Sequence, residues 1–214
     1  MKILSRLFKR LPLCPFPYKP YMHKYKCIFI HIPKNAGSSI MDLLEDTGGR
    51  FHLESKIYLD VNDCFFRKYH KFAIVREPLD RLFSAYQYSC RGGNKSPEDI
   101  ALAAHINSNS HNFTSFIECV LDTHFIIEQP LFRPQYSFIY HRGKLCIDTI
   151  LRFELLHEQW PKFAKLHGFP LDLRKLNSSK ESDFPMLEEH HYKKIVQMYL
   201  PDYIYFNYPV NYVS

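Results

Sequence analysis

Two short apolar runs, Lys26–Ile32 (KCIFIHI) and Lys71–Val75 (KFAIV), each lead straight into a loop and then a helix-forming stretch. Nearly continuous apolar character over so few residues belongs to strands buried on both faces. Parallel strands cannot be joined by a tight hairpin, so the intervening helices must cross over and cover the sheet. A third run, Thr149–Phe153 (TILRF), precedes a helical stretch over about 155–166 that closes at Gly168. The expected class is therefore α/β, with a mostly parallel sheet flanked by helices in three layers.

Punctuation residues divide the rest of the chain. Pro12, Pro15, Pro17 and Pro20 make residues 12–20 an extended lead-in. Pro33 ends the first strand, and Ser38 or Ser39 can cap a helix running through Ile40, Leu43 and Leu44 to Gly48-Gly49. A helix over about 79–89 carries Leu82, Phe83 and Tyr86 on one face until Arg91-Gly92-Gly93-Asn94 breaks it. Ser96-Pro97-Glu98-Asp99 starts another, and a further helix covers about 113–121. Residues 187–200 read as helix up to Pro201, with Ile204–Tyr208 as a last extended piece. There is no internal repeat or linker. The expected organisation is a lead-in over 1–25 and a single domain over 26–214.

Composition narrows the partners more than the fold. An apolar fraction of 46% in 214 residues supports a sizeable core. The net charge of +6 suits an anionic ligand without pointing to nucleic acid, which is not an expected partner. Cys14, Cys27, Cys64, Cys90, Cys119 and Cys146 are scattered, with no CxxC pair and no His partner at zinc spacing. They read as reduced, mostly buried thiols, and no metal is expected. His141 and His190-His191 read as surface positions. No run approaches the roughly 18 apolar residues of a membrane span, and no signal peptide pattern is present. A cytoplasmic location is the expectation. Residues 1–11, where Lys2, Arg6, Lys9 and Arg10 alternate with Ile3, Leu4, Leu7 and Phe8, fit a basic amphipathic helix. Such a helix either touches an anionic membrane surface or packs on the domain.

The chemistry concentrates in two places. Pro33-Lys34-Asn35-Ala36-Gly37-Ser38-Ser39 joins the first strand to a helix. Successive backbone N–H groups in such a turn make an anion-binding concavity, and small residues admit a phosphate closely. Lys34 adds a charge and the serines add hydroxyl donors. The pattern is P-loop-like, yet GxxxxGK[ST] puts its lysine after the last glycine, whereas Lys34 precedes Gly37. The second place is Arg76-Glu77-Pro78-Leu79-Asp80-Arg81-Leu82-Phe83-Ser84. Arg76 stands at the carboxyl end of a parallel strand, where open α/β sheets bind ligands, and its guanidinium suits bidentate phosphate recognition. Ser84 follows on the helix. Arg81 reads as a solvated charge or a local salt bridge.

Taken together, IFIHIPKNAGSS and FAIVREPLDRLFSAY resemble the carbohydrate sulfotransferases, the family that includes heparan sulfate 2-O- and chondroitin 4-O-sulfotransferases. Members typically read HIPKTAGTS and FVRNPxDRLxSxY. The resemblance extends through Gln135, Leu151–Glu154, Leu176–Lys180 and the closing YLPDYIYFNY, about residues 27–208. It implies that Lys34, Asn35, Ala36, Gly37, Ser38 and Ser39 hold the 5′-phosphosulfate of 3′-phosphoadenosine 5′-phosphosulfate (PAPS). It implies further that Arg76 and Ser84 hold the 3′-phosphate, with Arg152, Ser178 and Lys180 completing the nucleotide pocket. Asn35 stands for the usual Thr, and Glu77 for Asn or Asp, which sets a longer acid beside the 3′-phosphate site.

The implied reaction moves a sulfuryl group from PAPS to a carbohydrate hydroxyl by in-line displacement, without a metal. Lys34 is assigned to the leaving oxygen. The acceptor hydroxyl needs a base, and Phe51-His52-Leu53-Glu54 lies in the interval where the family places one. His52 is the first candidate and Glu54 the second, while His31 reads as a packing residue. Acceptor-facing loops are expected around 91–112 and 125–142, and Arg133, Arg142 and Lys144 read as solvated charges before they read as contacts to an acidic sugar. Two other readings remain open: a P-loop kinase, and a non-catalytic module that binds anionic glycans.

Overall fold

The computed structural model describes residues 16–46, 49, 51–173 and 184–210. The basic segment over 1–11, and with it the membrane expectation, lies outside these residues. In chain order the first elements are α1 (Pro20–Tyr25), β1 (Cys27–Ile30), α2 (Gly37–Leu43), α3 (Ser55–Val61), α4 (Asp63–Lys68) and β2 (His70–Val75). Then follow α5 (Pro78–Cys90), α6 (Pro97–Asn109), α7 (Phe113–Cys119), α8 (His124–Ile127) and α9 (Tyr136–Ile139). The chain continues with β3 (Tyr140–His141), β4 (Lys144–Leu145), β5 (Thr149–Arg152), a 3-10 turn (Phe153–Leu155), α10 (Leu156–His167), α11 (Glu189–Met198) and α12 (Leu200–Tyr205). No described helix is long and apolar enough to cross a membrane.

Two compact units interleave along the sequence: Met1–Val75 with Gln135–Asn177, and Arg76–Pro134 with Ser178–Ser214. The first holds the three-stranded sheet, ordered β1-β2-β5 and parallel throughout. All three expected strands are present, and the α/β class with helices flanking a parallel sheet is what the chain adopts. Every residue of β1 is buried, as are Lys71–Val75 of β2, which accounts for their unbroken apolar pattern. Trp160 of α10 is fully buried, its ring near those of Phe72, Phe163 and Phe169, and its indole N–H donates to the Pro170 carbonyl at 3.1 Å. Gly168 ends α10 in the left-handed conformation that glycine tolerates best.

Short helices account for most differences from the sequence reading. Pro20 occupies the first turn of α1, where a missing N–H costs nothing, so the proline-rich lead-in gives way to a helix that buries Tyr21 and Met22. Between the two strand-loop units, α3 and α4 are separated by Asn62, whose side chain caps α4 by accepting from Phe65 N–H. Helix α2 begins at Gly37, earlier than a serine cap would have it, and Ala36 takes the cap position in left-handed geometry. A two-residue pair, β3 with β4, forms an antiparallel ribbon.

The second unit is helical among the described residues. Ser96 caps α6 by accepting from Asp99 N–H, with Pro97 in the first turn, as its sequence signature indicates. The region around 91–112, assigned to acceptor loops, is thus largely helix. Pro201 starts α12 instead of stopping the chain, and the extended piece expected over 204–208 is instead the end of that helix and a turn. Phe113, Phe116 and Phe132 form the aromatic interior with Tyr86.

Arg81 corrects the expectation of a solvated charge: it is 0% exposed. Its guanidinium donates to the carbonyls of Leu131 (3.1 Å) and Arg133 (2.6 Å) and lies 5.5 Å from the Tyr199 ring centroid. Tyr199 itself donates to the Phe132 carbonyl at 2.7 Å, so one arginine and one tyrosine fasten the 131–133 segment. Arg81→Leu strips both carbonyls of a buried donor and should lower stability by about 2–4 kcal/mol. Chaotrope denaturation of the full chain checks this; a loss within experimental error would mean that water replaces the guanidinium.

The cysteines also depart from expectation. Among the five described, none is paired, but only Cys27 is buried, while Cys64 and Cys119 are exposed.

Candidate functional site

The loop that follows β1 folds over the carboxyl end of β2. Asn35 is 1% exposed, and its side-chain amide donates to the Ile74 carbonyl at 2.8 Å and to Gln135 Oε1 at 2.7 Å. Its neighbours Lys34 (φ 69°) and Ala36 (φ 58°) both adopt left-handed backbone, unusual for residues with a Cβ. Burial alternates along the loop: Asn35, Gly37 and Ser39 are buried, whereas Lys34, Ala36 and Ser38 are half-exposed. The first N–H groups of a helix have no intrahelical partner, and the cap residue of α2, Ala36, has no side chain that could accept from them. The strand-turn-helix stands where an anion-binding turn is expected from the sequence, and Asn35 has both side-chain amide protons committed inward.

Gly37 is fixed by packing. A Cβ at this position would overlap the imidazole of His31, with even the third-nearest ring atom only 2.6 Å away. The His31 ring stands 4.4 Å from that of His52 and 5.6 Å, stacked, from that of Phe29. His52 Nδ1 lies 3.2 Å from the His31 carbonyl. A carbonyl only accepts, so His52 carries a proton on Nδ1, and in the neutral ring the lone pair is on Nε2. His31 is therefore a packing residue, as expected, and also the wedge that links the loop glycine to the candidate base. Glu54 occupies the cap position of α3, half-buried. Arg152 ends β5 and pairs in register with Val75, so it too stands at the carboxyl edge of the sheet.

Arg76 directly continues β2, and Glu77 caps the helix that follows. Glu77 accepts from Asp80 N–H at 2.7 Å and from the Tyr203 hydroxyl at 3.1 Å. Burial pushes its carboxyl above the ordinary carboxylate value, with the N–H groups of Asp80 and Leu79 pulling the other way. Much of this longer acid's hydrogen-bonding capacity thus goes to its own helix. Ser84 is half-buried on α5. Ser178 and Lys180 lie outside the described residues.

A second cluster was not foreseen. Glu118 of α7 and His190 and His191 of α11 bring one ligand atom each within 4.8 Å of one another. His191, expected at the surface, is 4% exposed. Its Nδ1 accepts from Glu188 N–H at 3.1 Å, which leaves the proton on Nε2, and that N–H donates to Glu118 at 2.9 Å. In this tautomer Nε2 has no lone pair for a cation. The cluster is a hydrogen-bonded tie between α7 and α11.

A lysine-bearing turn follows the first strand of a parallel α/β sheet, and an arginine follows the second in the chain, both at carboxyl ends of strands, where open α/β sheets place ligands. Comparison with known proteins makes this specific. The chain matches the Sulfotransferase family over residues 21–209 and belongs to that family. It is 21% identical, over 236 aligned residues, to "Carbohydrate sulfotransferase 11" of Rattus norvegicus, an alignment covering 89% of this chain and 67% of the rat protein. The Mus musculus protein of the same name gives the same identity and coverage. No solved structure gives a significant match.

Proposed function

We propose that this chain transfers the sulfuryl group of PAPS to a hydroxyl of a carbohydrate. The observation that carries the reading is the Lys34–Ser39 turn, held in a special backbone conformation over the end of β2. Family membership supplies the reaction class. The carbohydrate acceptor rests on the relatives' names, and PAPS on the resemblance of the two phosphate motifs.

Each residue then has a task. The loop amides over 36–39 and the hydroxyls of Ser38 and Ser39 bind the 5′-phosphosulfate. Arg76 and Ser84 take the 3′-phosphate, with Arg152 beside the nucleotide. The acceptor oxygen attacks sulfur in line, the bond from sulfur to the bridging oxygen breaks, and 3′-phosphoadenosine 5′-phosphate (PAP) departs. His52 Nε2 receives the hydroxyl proton, its tautomer set by the His31 carbonyl. Glu54 is the second candidate for that proton. Lys34 stabilises the charge that builds on the leaving oxygen. The kinase reading is less favoured because Lys34 precedes Gly37 in the turn.

Calorimetry with PAP, using 5′-AMP as control, tests the donor. Wild type should bind PAP and require the 3′-phosphate, and Arg76→Ala should weaken binding about 10- to 100-fold. Equal binding of the two nucleotides, or of neither, overturns the proposal. The kinase or glycan-binding alternatives would then take its place.

A further inference from the structure

We propose that Gln135 is a positioning residue for the donor turn, acting through Asn35; the proposal rests on the PAPS reading above. Gln135 is 0% exposed and lies 100 residues from Asn35 in sequence, yet its Oε1 accepts one of the two Asn35 amide protons. The other goes to the Ile74 carbonyl at the end of the central strand. Asn35 is thereby clamped between the sheet and the start of α9. Its amide has only one sensible orientation. Reversed, its oxygen would face two acceptors, whereas as placed Oδ1 is buried with no hydrogen-bond partner among the described residues.

The clamp acts where the turn most needs it. Lys34 and Ala36, on either side of Asn35, hold left-handed backbone, which persists in residues with a Cβ only when their surroundings over-determine it. Pinning the residue between them at two points fixes both. The geometry of the Lys34 backbone and of the following N–H groups, which meet the phosphosulfate, then depends on a glutamine that never touches the donor. Bridging two acceptors takes two N–H groups; a hydroxyl side chain offers a single proton.

The test uses the full-length chain as wild type, Gln135→Met, Gln135→Glu, Asn35→Thr and the double variant Gln135→Met/Asn35→Thr. PAP affinity by calorimetry and amide exchange of residues 34–39 without nucleotide are both measured well below the unfolding temperature. Gln135→Met should bind PAP about tenfold more weakly and exchange its turn amides faster. The double variant should be little weaker than the worse single, because both substitutions break one clamp. Gln135→Glu retains an acceptor for Asn35 and should recover part of the affinity, which a merely volume-filling role would not predict. If wild type binds PAP and Gln135→Met binds it equally well, or the two losses add, the positioning role is overturned while the donor assignment stands. If wild type does not bind PAP, the donor assignment falls and takes this role with it. Faster exchange in Gln135→Met would then show only that the clamp holds the turn.

Discussion

Lys34→Ala should lower kcat for sulfuryl transfer by about 10²–10³-fold while PAP affinity falls by about tenfold. The asymmetry follows from where charge appears. In the proposed ground state the backbone N–H groups of the turn already hold the phosphosulfate, while Arg76 and Ser84 hold the 3′-phosphate. As the sulfur–oxygen bond lengthens, negative charge moves onto the bridging oxygen, and an ammonium aimed there is worth more in the transition state than before it. Lys34, to which the proposed function gives that task, has left-handed backbone directly after Pro33 and is half-exposed. Lys34→Arg keeps the charge but exchanges a compact ammonium for a wider planar group on the same constrained backbone, so it should recover only part of the rate. Measuring kcat and PAP affinity on one preparation separates the cases. A variant with kcat within about threefold of wild type removes Lys34 from the chemistry, and weaker PAP binding with kcat unchanged makes it a ground-state contact.

Much of this architecture was legible because local rules and tertiary burial agree. The parallel strands announce themselves as apolar runs since both their faces are covered, and Ser96-Pro97 starts its helix by the cap chemistry its sequence suggests. The turn over 33–39 was legible as a motif, since a lysine, a glycine and two hydroxyls between strand and helix have few other uses. The rest depends on partners far away in the chain. Nothing near Arg81 tells a solvated cation from one locked onto the carbonyls of Leu131 and Arg133, some 50 residues on. His191 reads as half of a surface pair, because the carboxylate it bonds to is Glu118, 73 residues earlier. Asn35 reads as one more residue of the donor turn, and nothing near it in sequence shows that its side-chain amide is committed to Gln135, 100 residues on. The resemblance had picked out Gln135, but only packing gives it a task. Short helices such as α3 and α4 were missed for a different reason: six or seven residues carry too little periodicity to separate helix from loop.

Gly37→Ala should disable the enzyme even though alanine favours helix and Gly37 opens α2. No positive φ is at stake at this position; the obstacle is the His31 ring, which an added methyl would overlap. His31 has little room to retreat. It is 8% exposed and stands between the rings of Phe29 and His52. Either the turn lifts off the ring or the ring is driven toward His52, and both outcomes displace a group assigned to the reaction. The overpacking should cost about 1–3 kcal/mol of stability. A displacement of about 1 Å in reacting groups can lower turnover by about 10²-fold. Pairing the variant with His31→Ala, which removes the obstructing ring, distinguishes the two effects. If the clash is the cause, the double variant should regain the lost stability but not the rate, because the wedge that orders His52 is gone. Should Gly37→Ala alone keep both its unfolding temperature and its kcat, the ring is free to move and the proposed coupling between turn and base does not exist.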